Sequence, residues 1–395
     1  MNKALGEKKS IVKEVPENWE IKLVGEIANI STGKKDTINK VTNGKYPFFV
    51  RSQTIERINS YSFDGEAVLT AGDGVGVGKV FHYINGKFDY HQRVYKISDF
   101  NDVNGLFFFY FFKSNFYKQI MKYNAKTSVD SVRLEMISKM EIAIPPIKEQ
   151  IKIASIINIW DRAIELKEKL ITQKKEQKKG LIQKLLSGKL RFTGFVEEWN
   201  KVRLENVIVG KGSYGINAPS TDKDLSLPTY LRITDISDDG YIIKDGLTSV
   251  DHPDSENYYL EKNDIVFART GASTGRAYLY EESDGRLVYA GFLIKFQIDS
   301  TRANPKFIKY ITQTEKYYNW VKVMSVRSGQ PGINAEEYKQ LPIFLPPLKE
   351  QQKIADILSD LDRNISLLIN EVEELNKQKN GLMQKLLTGK VRVKV

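Results

Sequence analysis

The chain has 395 residues and a formal charge of +11, from 60 Lys and Arg against 49 Asp and Glu. Its length exceeds the usual single core and points to two or more domains, and 41% hydrophobic with 28% charged residues excludes wholesale disorder. There is no cysteine, which excludes disulfides, thiolate nucleophiles and Cys-ligated zinc; the positive balance attracts a polyanion without identifying one.

In chain order, residues 1–16 form an extension without the apolar core of a signal peptide. The most apolar run, Leu106 to Phe112, falls far short of the roughly 20 residues that span a bilayer. A soluble, cytoplasmic protein is the expectation. A first module, 17–146, opens at Trp19 and Leu23 and carries β-rich runs at Lys45 to Val50, Ala67 to Thr70 and Lys87 to Ile97. Arg51 and Gln53, in PFFVRSQTI, are candidates for nucleic-acid contact. The run GDGVGVGKV suggests a phosphate loop at first sight. However, Asp73 stands where that loop needs glycine, and Val80 stands where it needs Ser or Thr to hold magnesium. A helix is expected over Asn104 to Tyr123, and Lys126, Thr127, Ser128 and Arg133 in the following segment are further contact candidates.

Pro145-Pro146 introduce a long helix over 147–190, with Glu149 suited to its positive end and Gly188 to its stop. Ile153, Ile157, Trp160, Ile164, Ile171, Leu181 and Leu185 make one stripe on it, which Lys167, Lys174 and Lys178 interrupt. Ile156, Ala163, Leu170, Ile182 and Leu186 form a second apolar edge, available to another protein or to the adjacent modules.

The second module, 191–347, opens at Trp199 and Leu204 and is β-rich at Asp264 to Ala268 and Leu287 to Phe296, with a helix expected over Pro305 to Met324. Arg232 in PTYLRITDI corresponds to Arg51, and each arginine either contacts a phosphate or pairs with a domain carboxylate. Arg269 has the donor fork to read guanine. DIVFARTGASTGRA corresponds to AVLTAGDGVGVGKV, so Gly-x-x-x-Gly followed by a cation occurs twice, ending in Lys79 and in Arg276. Either cation reaches a phosphate or decorates a tight turn. Arg327, Ser328, Gln330 and Asn334 are loop candidates, and the two amides suit adenine. Residues 212–224 have no counterpart in the first module, so two related scaffolds with different surfaces read different targets. His82, His91 and His252 make no metal-ligand spacing.

Pro346-Pro347 open the last segment, 348–395, a helix and tail whose stripe is Ile354, Leu358, Leu361, Ile365, Leu368, Val372, Leu375, Leu382 and Leu386, interrupted by Lys379. It matches the first helical segment without a gap at a constant offset of 201 residues, Lys148 to Lys349. That agreement indicates an internal duplication. Some 40 helical residues span roughly 60 Å, and steps of three and four residues are the coiled-coil pattern. The two stripes are expected to pair within the chain, in a direction the pattern leaves open.

PPIKEQIKIA with GLIQKLLSGKLR, and PPLKEQQKIA with GLMQKLLTGKVR, resemble the repeated central and C-terminal regions of Type I restriction-modification specificity subunits. The resemblance covers essentially the whole chain. It implies a mixed α/β fold in which two globular target-recognition domains are separated by two long antiparallel helices. Those helices form an intramolecular coiled coil, and the whole has an internal pseudo-two-fold repeat. It also implies a non-catalytic subunit that recognises an asymmetric bipartite site in double-stranded DNA and recruits two modification (methyltransferase) subunits near Pro145 to Ile164 and Pro346 to Ile365. Restriction (translocase/endonuclease) subunits would complete the assembly, and S-adenosylmethionine, ATP and magnesium would sit on partner subunits. Lengthening the spacer by one turn, about 5.4 Å, would then shift the half-site gap by one or two base pairs at about 3.4 Å each. The alternatives are a stand-alone two-module DNA-binding regulator, a fused nuclease or methyltransferase for which no active-site residues are found, and a coiled-coil scaffold without DNA specificity.

Overall fold

The computed structural model describes residues 12, 15–123, 131–327 and 329–395. They form two compact units, 1–167 with 371–395, and 168–370, so each unit takes one stretch from each long helix.

In the first unit, β1 (Glu20–Leu23) leads through a one-turn helix α1 (Val24–Ile27) to β2 (Asn29–Thr32), β3 (Tyr46–Phe49), β4 (Glu56–Ile58), β5 (Phe63–Ala71), β6 (Phe81–Tyr90) and β7 (Val94–Ser98). Helices α2 (Gly105–Met121) and α3 (Leu134–Ser138), strand β8 (Glu141–Ile144) and the long α4 (Ile147–Leu185) follow. The sheet order is β2-β7-β5-β6-β3-β4, with only β3 and β6 parallel, while β1 pairs separately with β8. Alternation along β5 explains why Ala67 to Ala71 are all buried. Val68 packs with Phe81, Ile97 and the phenylalanines of α2, whereas Ala67 and Leu69 face Phe49, Phe88 and Val94. The single β-run expected over Lys87 to Ile97 is in fact two strands that do not pair with each other, since β6 and β7 lie on opposite sides of β5 and both run antiparallel to it. His91 Nδ1 accepts the Arg93 N–H at 2.9 Å, and this closes a three-residue turn between β6 and β7.

The second unit repeats this plan with β9 (Asn200–Arg203), β10 (Ile208–Tyr214), β11 (Thr229–Leu231), β12 (Thr248–Ser249), β13 (Asp264–Ala268), β14 (Ala277–Leu279), β15 (Leu287–Tyr289) and β16 (Leu293–Ile298). Helices α5 (Pro305–Ile311), α6 (Glu315–Met324) and α7 (Ala335–Lys339), then β17 (Pro342–Leu345) and α8 (Leu348–Leu387), complete it. Where the first unit has one continuous β6, the second has β14 and β15 separated by a 3-10 turn at Glu282–Asp284. Its sheet is therefore divided into β10-β16-β13-β14 and β12-β11-β15. The helix expected over Pro305 to Met324 also breaks in two. Thr312 and Thr314 hydroxyls bond back to the Lys309 and Ile311 carbonyls, and the Thr314 side chain caps α6 at the Tyr317 N–H.

Every residue of the two expected stripes is buried or half-buried. Lys167, Lys178 and Lys379, which interrupt them, are matched by carboxylates, while Lys174 donates to the Gln177 side chain. In the first unit Lys167 meets Glu371 at 2.5 Å and Asp161 meets Lys379; in the second Lys178 meets Asp362 at 2.7 Å. Together with Glu149 to Arg392 in the first unit, and Arg191 to Glu350 in the second, these pairs make the α4 and α8 stretches antiparallel inside each unit. Of the second edge, Ile182 and Leu186 lie in the core of the second unit and Ile156 packs against the core of the first, so these positions serve the adjacent modules.

The duplicated Pro-Pro-x-Lys-Glu-Gln motif is structural in both copies. Buried Glu149 accepts two bonds of 2.7 Å from Arg392 and one of 3.3 Å from the Trp19 indole, and buried Glu350 accepts bonds of 3.0 and 2.8 Å from Arg191. Gln150 donates to the Pro145 carbonyl and accepts the Asn104 N–H; Gln351 does the same with Pro346 and Asn304, and all four bonds are 2.8 Å. Tyr110 donates to Asp161 and Tyr310 to Asp362. Among the described residues, no helix is long and apolar enough to cross a membrane.

Two outcomes follow for stability. Lys178 and Asp362 have side chains only 9% and 16% exposed, so Lys178→Ala strands a carboxylate and is expected to cost about 3–5 kcal/mol in urea denaturation, much of it recovered in Lys178→Met with Asp362→Leu. Lys309 is buried with its ammonium 3.9 Å from the Tyr241 ring centroid, and burial pulls its pKa down to about 8. Between about pH 8 and 10.5 the unfolded chain binds more protons at this lysine than the fold does, so stability rises through that window. Tyr241 and Tyr310, pushed up by burial, oppose the rise once unfolded tyrosines ionise near pH 10. The urea midpoint is therefore expected to climb from about pH 7.5 to 9.5 and to lose that climb in Lys309→Met.

Candidate nucleic-acid interface

The paired glycine motifs are a backbone device. Gly74 and Gly78 have φ of +72° and +67°, and Gly271 and Gly275 have +74° and +92°. A Cβ at Gly78 would stand 2.9 Å from Ile120 and Tyr117 on α2, and one at Gly275 would stand 2.6 Å from Val321 on α6. Both motifs therefore need glycine for conformation and for close packing on a helix. In each unit the turn is tied to the segment before the next short helix: Val132 N–H donates to the Gly72 carbonyl at 2.7 Å, and Gly271 N–H to the Pro331 carbonyl at 3.0 Å. It is tied as well to the tip of the three-residue turn that joins β6 to β7 or β15 to β16, through Gly72 N–H to the Arg93 carbonyl and Arg269 N–H to the Phe292 carbonyl. Each unit thus gathers a glycine turn, the tip of a strand-to-strand turn and the loop before α3 or α7 into one rim.

On the rim of the first unit, Arg51 donates to Asp73 at 2.8 Å and Arg93 reaches the same carboxylate at 3.3 Å. Gln53, Lys79 and Arg133 are exposed. Candidates Lys126, Thr127, Ser128 and, in the second unit, Ser328 lie outside the described residues. Arg269 is half-buried with its guanidinium 4.9 Å from the Tyr214 ring centroid. Gln330 is exposed next to Gly271.

Other arginines are occupied by the scaffold. Arg232 grips Asp235 with two bonds of 2.9 and 2.8 Å and also donates to the Gly246 carbonyl, so the carboxylate reading holds for it, and the Asp235 bond raises its pKa. Arg276 donates to the Ile236 carbonyl and pairs with Asp238 at 2.7 Å, whereas Lys79 is exposed. Arg327 is a bidentate partner of Glu337, and Asn334 caps α7 by accepting the Glu337 N–H, so neither side chain projects freely. Asp235 stands in the same PTYLRITDI segment as Arg232, so that pairing was open to a sequence reading, whereas Asp238 and Glu337 belong to no pattern shared with Arg276 or Arg327.

Sequence reasoning missed Arg93, Phe292 and Tyr214. Arg93 and Phe292 lie at turns inside runs read as continuous strand, and Phe292 is 57% exposed. The histidines serve the fold: His82 bonds the Ser52 carbonyl, His91 accepts from Arg93, and His252 caps a 3-10 turn at the Asp254 N–H. Burial lowers the pKa of His82 and of His91. Among the described residues, no three His, Asp or Glu side chains are grouped to hold a metal ion.

Residues 16–175 and 197–377 match the family model described as the Type I restriction modification DNA specificity domain. The chain is 24% identical to the Type I restriction enzyme MjaVIII specificity subunit of Methanocaldococcus jannaschii, over 96% of this chain and 94% of that one. It is 23% identical to the EcoDI specificity subunit of Escherichia coli, over 96% and 89%. The fold is similar to the crystal structure of a Type I restriction-modification S subunit from M. genitalium, with a TM-score of 0.65 at 15% identity, covering 96% of this chain and 98% of that one. A chain from a structural study of Type I complex assembly and conformational transition aligns with a TM-score of 0.56 at 15% identity, over 96% and 100%. With two matched segments on two units that repeat one scaffold, this chain belongs to the Type I restriction-modification DNA specificity family.

Proposed function

We propose that the chain supplies the DNA address of a Type I restriction-modification assembly, each unit recognising one part of an asymmetric, two-part site. The observation that carries this reading is the combination of a repeated scaffold with unlike rims. The two units keep the same buried Glu–Arg, Gln–carbonyl and Tyr–Asp contacts, yet one rim presents Arg51, Asp73 and Arg93 while the other presents Arg269, Tyr214 and Phe292. Phosphate contacts from exposed cations would supply affinity and position, and base contacts from the rims would discriminate.

In this reading α4 and α8 pair antiparallel as a coiled-coil spacer that sets the distance between half-sites. The antiparallel stretches inside each unit, and the ion pairs that complete their seams, support it. Two modification subunits dock near the starts of the helices, where Ile147, Ile151 and Ile159 on α4 and Leu348 on α8 are exposed. Restriction subunits join for cleavage. S-adenosylmethionine, ATP and magnesium belong to those partners, the chain itself performs no chemistry, and the assembly works in the cytoplasm.

Co-expression with a modification subunit, followed by sequencing-based mapping of methylated adenines, is expected to give an asymmetric bipartite motif; methylation at an uninterrupted site would oppose the reading. Inserting a heptad after Lys169 and another after Asn370 preserves the apolar repeat and lengthens each helix by about 10 Å. The same mapping is then expected to show the gap widened by about three base pairs with both half-site sequences intact.

A further inference from the structure

We propose that the first unit reads guanine in its half-site through Arg93 and Arg51, with Asp73 as the residue that positions both guanidinium groups. This rests on the DNA-recognition reading above and adds to it the base that one rim takes.

The Arg93 backbone is held on both sides. The Arg93 N–H is held by His91 Nδ1 at 2.9 Å, and the Arg93 carbonyl accepts the Gly72 N–H at 2.8 Å. The neighbouring Gln92 donates from its backbone to the Lys35 carbonyl and from its side chain to Asp36, both at 2.8 Å. Asp73 introduces the glycine turn and is 20% exposed, whereas the Arg51 and Arg93 side chains are 47% and 63% exposed. Their two contacts use opposite oxygens of the one carboxylate, Oδ1 at 2.8 Å for Arg51 and Oδ2 at 3.3 Å for Arg93. A guanidinium has five N–H donors, so one hydrogen bond from Arg51 and one ion-pair contact from Arg93 leave each arginine an edge able to meet guanine O6 and N7 together. A phosphate contact needs only charge, and a carboxylate beside the arginine weakens it. Base reading needs orientation, which the carboxylate supplies before DNA arrives, lowering the entropy lost on binding.

The second unit shows which positions are free to change. The residue after β5 is Gly72 and the residue after β13 is Arg269; next come Asp73 and Thr270, and the residues before β7 and β16 are Arg93 and Phe292. The main-chain bond between the tip of the strand-to-strand turn and the glycine turn is the same in both. The arginine after β11, Arg232, is drawn to Asp235, while Arg51 after β3 is drawn to the rim. An Arg–Asp–Arg cluster in one copy is thus exchanged for an aromatic-backed arginine and an exposed phenylalanine in the other, on an unchanged backbone.

The test uses the intact chain co-expressed with a modification subunit and compares methylated-adenine maps of the wild type with those of Arg93→Ala, Arg93→Lys, Arg51→Ala and Asp73→Asn. Arg93→Ala is expected to relax the preference for guanine at one position of one half-site by about ten- to a hundredfold, with the other half-site unchanged. Arg93→Lys should do the same because lysine lacks the fork, and it carries the test if the alanine variant does not fold. Arg51→Ala is expected to relax a guanine in that same half-site, and Asp73→Asn to loosen the same positions less. Uniformly weaker methylation with an unaltered motif marks phosphate contacts and overturns the proposal, as does a bipartite motif that has no guanine or that the variants leave unchanged. A wild-type map with no bipartite motif overturns the recognition reading itself.

Discussion

A carboxylate buried at the start of a long helix must be paired, and that requirement organises each unit. Glu149 and Glu350 are 1% and 0% exposed, and each is met by an arginine from the segment that follows the other long helix. An ion so removed from water is tolerated only with a close partner and further hydrogen bonds. Each unit is therefore complete only when it contains the start of one helix and the end of the other. The adjacent Gln150 and Gln351 tie the same helix starts to Asn104 and Asn304, which cap α2 and α5. The carboxylate is thereby linked to the helix behind each sheet.

From that scaffold the rims inherit their geometry. The helix behind the sheet sets where the glycine turn lies, because Gly78 and Gly275 pack too closely on α2 and α6 for any side chain. The glycine turn anchors the tip of the turn before β7 or β16 through one main-chain bond in each unit. Side chains at the tip and the turn can then be exchanged without disturbing the backbone, which is how one fold carries Arg93 in one place and Phe292 in the other. Retained contacts build the frame; exchanged ones distinguish the two surfaces.

Much of the architecture was legible in the sequence. The duplication at a fixed offset, the apolar stripes and the β-rich modules are local patterns, and local patterns are what a sequence displays. Runs such as Lys87 to Ile97 misled because a three-residue turn closed by a histidine ring nitrogen leaves the hydrophobic alternation almost intact. The break between α5 and α6 escaped for a similar reason: threonine hydroxyls terminate a helix without glycine or proline to announce it.

The sequence by itself determined two related modules, two long helices, a basic chain without cysteine, and a resemblance to one family. Tertiary structure alone decided the direction in which helix stretches pair inside each unit, and which arginines are spent. Arg51, Arg232, Arg276 and Arg327 look alike in sequence, yet Asp235, Asp238 and Glu337 claim three of them, while Asp73 gathers Arg51 with Arg93. The physical reason is range. A stripe repeats every three or four residues, but an ion pair such as Glu149 with Arg392 joins positions 243 residues apart, and only the folded chain brings the two charges together.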